Sequence, residues 1–233
     1  MSKYHGELIN ALLALSRPSS GFDIGNYLGT SHKVLNVRTS DKRKLAKEFY
    51  KSHADIALND FLSLLDSLYR GESFEEVTLA SELIGFYGQH INSIRLGSFN
   101  KWLGALEGWA EVDTLCSGPI DASVLLANWN SWHVWITKWR ESRNVQKRRA
   151  SLVFLVKPVT KNPNTKLRKQ SFAQIENLKA EKEVMITKAI SWLLRALATQ
   201  NPVEVKKYVN DNLNTLPKIA IRETLRKIET GKK

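Results

Sequence analysis

The sequence predicts an all-α protein built from many short helices, and three observations carry that prediction. Apolar residues recur every three or four positions along almost the whole chain, as they do when one face of a helix is buried. No stretch alternates cleanly between apolar and polar residues as a half-buried strand would, and no Asn-Gly hairpin turn occurs. Several segments open on good helix starters and are joined by short connections. Many short helices in antiparallel pairs point to an α-solenoid of two-helix repeats, although no fixed period can be aligned; an irregular helical bundle is the alternative.

The elements follow in order. The apolar run 8–15 is flanked by Glu7, is interrupted by Asn10 and lacks a small-residue cleavage site, so it reads as an amphipathic first helix rather than a signal segment. A helix over 40–51 starts on the cap-competent Ser40 and places Leu45, Phe49 and Tyr50 on one side. Segments 56–69 and 75–87 repeat the same spacing, and shorter helices over 94–106 and 109–116 are separated by Gly108. One long helix is expected over 121–139 and another over 142–156. Residues 157–169, polar and proline-containing with five bases and no acid, read as a linker. Asn201-Pro202 followed by Glu204 is a strong helix start, and Pro217 opens a last helix through 228.

With 233 residues the chain is long enough for a sizeable core, and residues 1–233 are expected to form a single domain. A hydrophobic fraction of 42% with 25% charged residues excludes a disordered chain, and the apolar stretches are too short for a membrane span. The single cysteine, Cys116, excludes an internal disulfide and agrees with a reducing compartment, hence a cytoplasmic location. The charge is unevenly placed. Residues 1–137 hold 12 bases and 15 acids, whereas residues 138–233 hold 23 bases and 8 acids. Such a bias suggests a polyanion-binding face, with a basic solvated surface as the plain alternative.

Much chemistry is excluded. His5, His32, His53, His90 and His133 form no HExxH or paired ligand spacing, so neither metal nor cofactor is expected. Gly21, Gly25 and Gly29 follow no strand and make neither a phosphate loop nor a dinucleotide fingerprint. Cys116 lacks a nearby histidine, and no GxSxG occurs. The tryptophans remain. Trp129, Trp132, Trp135 and Trp139 make a helical stripe whose default meaning is core packing. Trp109 and Asp113, four apart, put an aromatic ring and a carboxylate on one helix face.

Three stretches, read together, resemble the AlkD-like family of DNA alkylation repair glycosylases, which are built from HEAT-like helical repeats. They are Gly108-Trp109-Ala110-Glu111-Val112-Asp113; Trp139-Arg140-Glu141-Ser142-Arg143-Asn144 running into Arg148-Arg149-Ala150; and Lys188-Ala189-Ile190-Ser191-Trp192-Leu193-Leu194-Arg195 with Asn201-Pro202 and Leu216-Pro217 beyond. The chain departs from the family where a tryptophan usually precedes the paired arginines, here Val145 and Gln146, and where a glycine often precedes the last tryptophan, here Ser191.

The resemblance implies a concave basic DNA-binding face and excision of N3-methyladenine and N7-methylguanine from double-stranded DNA by a monomer, without membrane association. It implies Asp113 as the catalytic carboxylate, with Trp109 and Trp192 facing the sugar, Arg148 holding a phosphate, and Arg149, Lys188, Arg195 and Tyr27 as further DNA contacts. A catalytically silent nucleic-acid-binding module and a protein-interaction scaffold remain the alternatives, since fold alone does not fix function.

Overall fold

The computed structural model describes residues 3–19 and 21–232, and among them every regular element is a helix. The chain divides into two compact units, Met1–Pro119 and Ile120–Lys233. The all-helical class expected from the periodicity is the one observed. None of the helices among the described residues is long and apolar enough to cross a membrane.

The first unit contains α1 (Lys3–Ala14), α2 (Ile24–Leu28), α3 (Thr39–Ser52), α4 (Leu58–Leu68), α5 (Phe74–Phe86), α6 (Gly88–Ile91), α7 (Leu96–Ala105) and α8 (Trp109–Ser117). Helix α5 is its centre, packed by α1, α3, α4, α6 and α8. Ser73 starts it through a capping box in which its hydroxyl takes the Glu76 amide and Glu76 reaches back to the Ser73 N–H. Because α5 is covered on nearly every side, its polar residues are buried as well, and burial without partners would be costly. Each is answered. Glu75 accepts the amides of Leu35 at 2.9 Å and Val37 at 3.3 Å. Glu76 binds His5 Nε2 at 2.7 Å, whose Nδ1 meets Ser67 Oγ at 2.6 Å. Ser81 pairs with the Tyr69 hydroxyl at 2.9 Å. These bonds fix α1, α4 and the segment before α3 against α5 in one register.

The second unit contains α9 (Ala122–Ala127), α10 (Trp129–Arg140), α11 (Val145–Lys161), α12 (Thr165–Leu178), α13 (Val184–Gln200), α14 (Pro202–Asp211) and α15 (Lys218–Thr230). Helices α11 and α13 form its core pair, with α9, α10 and α12 against α11 and α14 and α15 against α13. Trp132 and Trp139 are buried against Phe154, so half of the tryptophan stripe is core, while Trp129 and Trp135 are only partly covered.

Two expectations are corrected. The single helix expected over 121–139 breaks at Asn128, which at φ −134° ends α9 and starts α10. The periodicity runs across the break because both pieces bury apolar faces. The linker expected over 157–169 is helical at both ends, leaving only 162–164 between α11 and α12. Pro158 lies inside α11, where it removes one backbone bond. Pro158 and Val159 are nevertheless buried, so packing overrides the local signal.

One buried group is poorly answered. Lys42 of α3 is 5% exposed, and its Nζ donates to Thr78 Oγ1 of α5. Burial pushes its ammonium down to about 8, with partial opposition from the Glu82 and Glu75 carboxylates. The unfolded chain therefore holds this proton up to its ordinary value near 10.5 while the folded chain releases it near 8. Lys42→Met is expected to raise stability at pH 7, by up to about 3 kcal/mol. The gain should shrink as pH rises from about 8 to about 10.5, as measured by urea unfolding across that range.

Candidate functional site

Residues 107–113 owe their placement to one carboxylate. Glu111, at the third position of α8, has no exposed surface. Its Oε2 accepts the amides of Glu107 at 2.7 Å and Gly108 at 3.3 Å, closing the open end of the helix. Its Oε1 accepts Thr30 Oγ1 at 2.6 Å and His32 Nδ1 at 3.0 Å. Glu107 adds the Ser31 amide at 2.7 Å and the Ser31 hydroxyl at 2.6 Å. The loop after α2 is thus tied to the start of α8 by five side chains. Gly108 is required by this approach, because a Cβ there would lie 2.6 Å from the Leu28 carbonyl oxygen.

The charges reinforce the tie. Burial pushes the Glu111 carboxyl up, but the bonds from His32, the Glu107 amide and Thr30 outweigh it and hold the group below its ordinary range. The same carboxylate raises the His32 imidazole above its ordinary value. The pair is therefore an imidazolium–carboxylate contact over the pH range between them.

On this anchored helix, Trp109 and Asp113 both line a cleft of about 1020 Å³, which Arg17, Arg38, Lys42 and Arg43 also border. The shared face expected from their spacing is observed. Asp113 is partly buried and accessible to the cleft. Trp109 donates its indole N–H to the Tyr27 carbonyl at 2.9 Å, and the two rings meet edge-to-face at 5.6 Å. Tyr27, Trp109 and Asp113 are thus brought together within the first unit. Asp113 thus shares the cleft with Trp109 and with both basic and acidic side chains, since Glu75 and Glu82 line it too, and Arg17 and Arg43 are paired with Asp41 and Glu82.

The remaining expected residues lie in the second unit on α11 and α13. Arg148 Nε stands 2.8 Å from Glu181 Oε1, and its Nη1 donates to the carbonyls of Ser142 and Arg143 at 2.9 Å each. Asn144 caps α11 by accepting the amides of Gln146 at 2.8 Å and Lys147 at 3.1 Å. The segment Trp139–Arg148 is accordingly a folded turn in which each motif residue has an internal partner. Arg149 is 5% exposed and donates to the Met185 carbonyl at the start of α13. Lys188 is exposed and Trp192 half-buried on α13. Arg195 lies near the Glu223 carboxylate at 3.4 Å.

Sequence reasoning missed Glu111 and His32 as the determinants of this geometry. The Gly108-x-x-Glu111 spacing is a capping signal that could have been read, but nothing local announces a histidine 79 residues away.

A family model described as DNA alkylation repair enzyme matches residues 8–228. A solved structure titled "Predicted DNA alkylation repair enzyme from Enterococcus faecalis" is similar with a TM-score of 0.74 at 18% identity, covering 90% of this chain and 94% of the other. At that identity the likeness shows the fold. No curated protein matched the sequence.

Removing Glu111 would strand two amides, a hydroxyl and an imidazole. Glu111→Ala is expected to cost roughly 3–5 kcal/mol in urea unfolding. The His32 imidazole is raised, so its contribution is fully present below about pH 6.5 and fades as pH climbs through the folded value. His32→Ala should therefore destabilise most on the acid side of neutrality, and an equal loss at pH 9 would refute the ionic account.

Proposed function

Because the chain belongs to the DNA alkylation repair enzyme family, we propose that it is a DNA glycosylase excising cationic alkylpurines, N3-methyladenine and N7-methylguanine, by hydrolysis of the N-glycosidic bond. The observation that carries this reading is the placement of Trp109 and Asp113 on one cleft wall, on a helix held by the buried Glu111.

An alkylated purine already carries positive charge, so it departs as a neutral base and needs no proton from the protein. The deoxyribose left behind becomes an oxocarbenium ion. In this reading Asp113 stabilises that cation and orients the water that adds to C1′, whose proton passes to the carboxylate or to solvent. Trp109 presents a π-rich ring to the electron-poor sugar, and Tyr27 buttresses it. From the second unit, the exposed Lys188 is proposed as a phosphate contact, with Trp192 and Arg195 beside it on α13. Arg148 would have to exchange Glu181 for a phosphate, so its role is first to hold the turn before α11.

Asp113→Asn tests the reading. It keeps the shape but not the charge, and single-turnover release of methylated purine from alkylated duplex should fall by on the order of 10²–10³, with DNA affinity nearly unchanged. The wild-type protein should leave hypoxanthine and uracil in place, because those bases depart as anions unless protonated. Undiminished release by the variant would reject Asp113 as the catalytic carboxylate, and efficient hypoxanthine release would require a general acid.

Binding gives a second expectation. Affinity for duplex DNA should fall steeply with salt, and Lys188→Ala should flatten the slope by about one contact. Arg148→Ala should instead lower the thermal midpoint. A salt-independent affinity would exclude a phosphate-tracking surface.

A further inference from the structure

Helices α13 and α15 pack along one another, and a carboxylate stands where their polar edges meet. On α13, Lys188, Trp192 and Arg195 share a face, with Ser191 at its edge towards α15. Glu223 of α15 accepts the Ser191 hydroxyl on Oε2 at 2.6 Å, and the same oxygen lies 3.4 Å from Arg195 Nη2. Its Oε1 faces Arg222 Nη2 at 4.0 Å. Arg195 also donates its Nε–H to the Ser191 carbonyl at 3.2 Å, which draws the guanidinium back along its own helix beside Glu223.

Two arginines and a hydroxyl around an oxyanion are the surroundings that a backbone phosphate receives from a protein. The exposed Lys188 and Arg226 lie about one turn away on the two helices. An acid set among these bases lowers the local positive potential and takes up donors that a phosphate would use. As a structural tie it is weak, because Glu223 is a third exposed and ion pairs at that depth contribute little to stability. The Arg148–Glu181 pair differs. Its arginine also clasps two backbone carbonyls, so releasing it would loosen a turn.

We propose that Glu223, aimed by Ser191, is an internal competitor for Arg195: in the free protein it takes the place of a DNA phosphate, and duplex binding displaces it. The inference rests on the reading of α13 as a DNA-contacting helix. Exchanging a carboxylate for a phosphate costs the same whatever the sequence or lesion. Glu223 therefore lowers affinity for all duplexes alike and shortens residence on intact and product DNA. It sets how firmly the protein holds its substrate, not which base is removed.

The test measures binding by fluorescence anisotropy across a salt series, with an intact duplex and one carrying a tetrahydrofuran abasic analogue. Thermal melting verifies that each variant is folded. Glu223→Gln keeps an acceptor for Ser191 and removes the charge. It should bind both duplexes roughly threefold to fivefold more tightly at low salt, with a slope steeper by about one contact. Ser191→Ala leaves both charges in place and should give a smaller gain of the same kind; it decides the question if Glu223→Gln proves unfolded. Glu229→Gln, an equal change of net charge on the same helix, should give no gain. With Arg195→Gln already present, Glu223→Gln should add almost nothing. A Glu223→Gln variant no tighter than wild type would overturn the proposal. So would an equal gain from Glu229→Gln, or a gain undiminished in the Arg195→Gln background. A wild-type affinity that ignores salt would defeat the DNA-binding reading and the proposal with it, whereas failure confined to Glu223→Gln leaves that reading standing.

Discussion

A carboxylate with no exposed surface survives only where its charge is met by donors on every side. Glu111 meets that condition with two backbone amides, the Thr30 hydroxyl and the His32 imidazole. Because those donors come from the start of its own helix and from a loop some eighty residues earlier, satisfying one charge also joins two distant stretches of chain. The approach excludes any side chain at position 108 and brings the Tyr27 carbonyl to the Trp109 indole. The orientation of Asp113 follows, since it lies just over half a turn beyond Glu111 on the same rigid helix. The geometry of the candidate site in the first unit is therefore a by-product of electrostatic satisfaction.

The same logic organises the rest of the first unit. Helix α5 is too deeply covered to present a simple apolar stripe, and it carries Glu75, Glu76, Thr78 and Ser81 inward. A hydrocarbon surface would leave its neighbours free to slide. Directional bonds to Leu35, Val37, His5 and Tyr69 do not. In the second unit arginines perform the equivalent task, with Arg148 and Arg149 tying the turn before α11 and the start of α13. Cation-rich composition there serves internal structure as well as surface charge.

The helices were legible because their periodicity is a local property. Asn201, Pro202 and Pro217 lie at helix starts, Ser40 lies one residue inside α3 rather than at its cap, and Gly108 separates α7 from α8. The break at Asn128 was not legible, since an apolar pattern can continue through a change of direction. Pro158 misled in the opposite sense, because burial in α11 outweighs the lost backbone bond. Within the candidate site, Trp109 and Asp113 could be paired by arithmetic on a helix. Their link to Tyr27, and the engagement of Arg148 with Glu181, are tertiary facts with no local trace. Arg149 shows the limit of counting charge: a base in the sequence is not necessarily a base on the surface.

The turn from Trp139 to Arg148 bears on how related sequences are read. Trp139 is core, Asn144 caps a helix, and Arg148 clasps the two carbonyls that precede that cap. All three would be retained by selection for folding alone, in a chain that had lost any capacity to act on DNA. A classifier that weighs this motif heavily would therefore sort sequences by architecture and admit silent members alongside working ones.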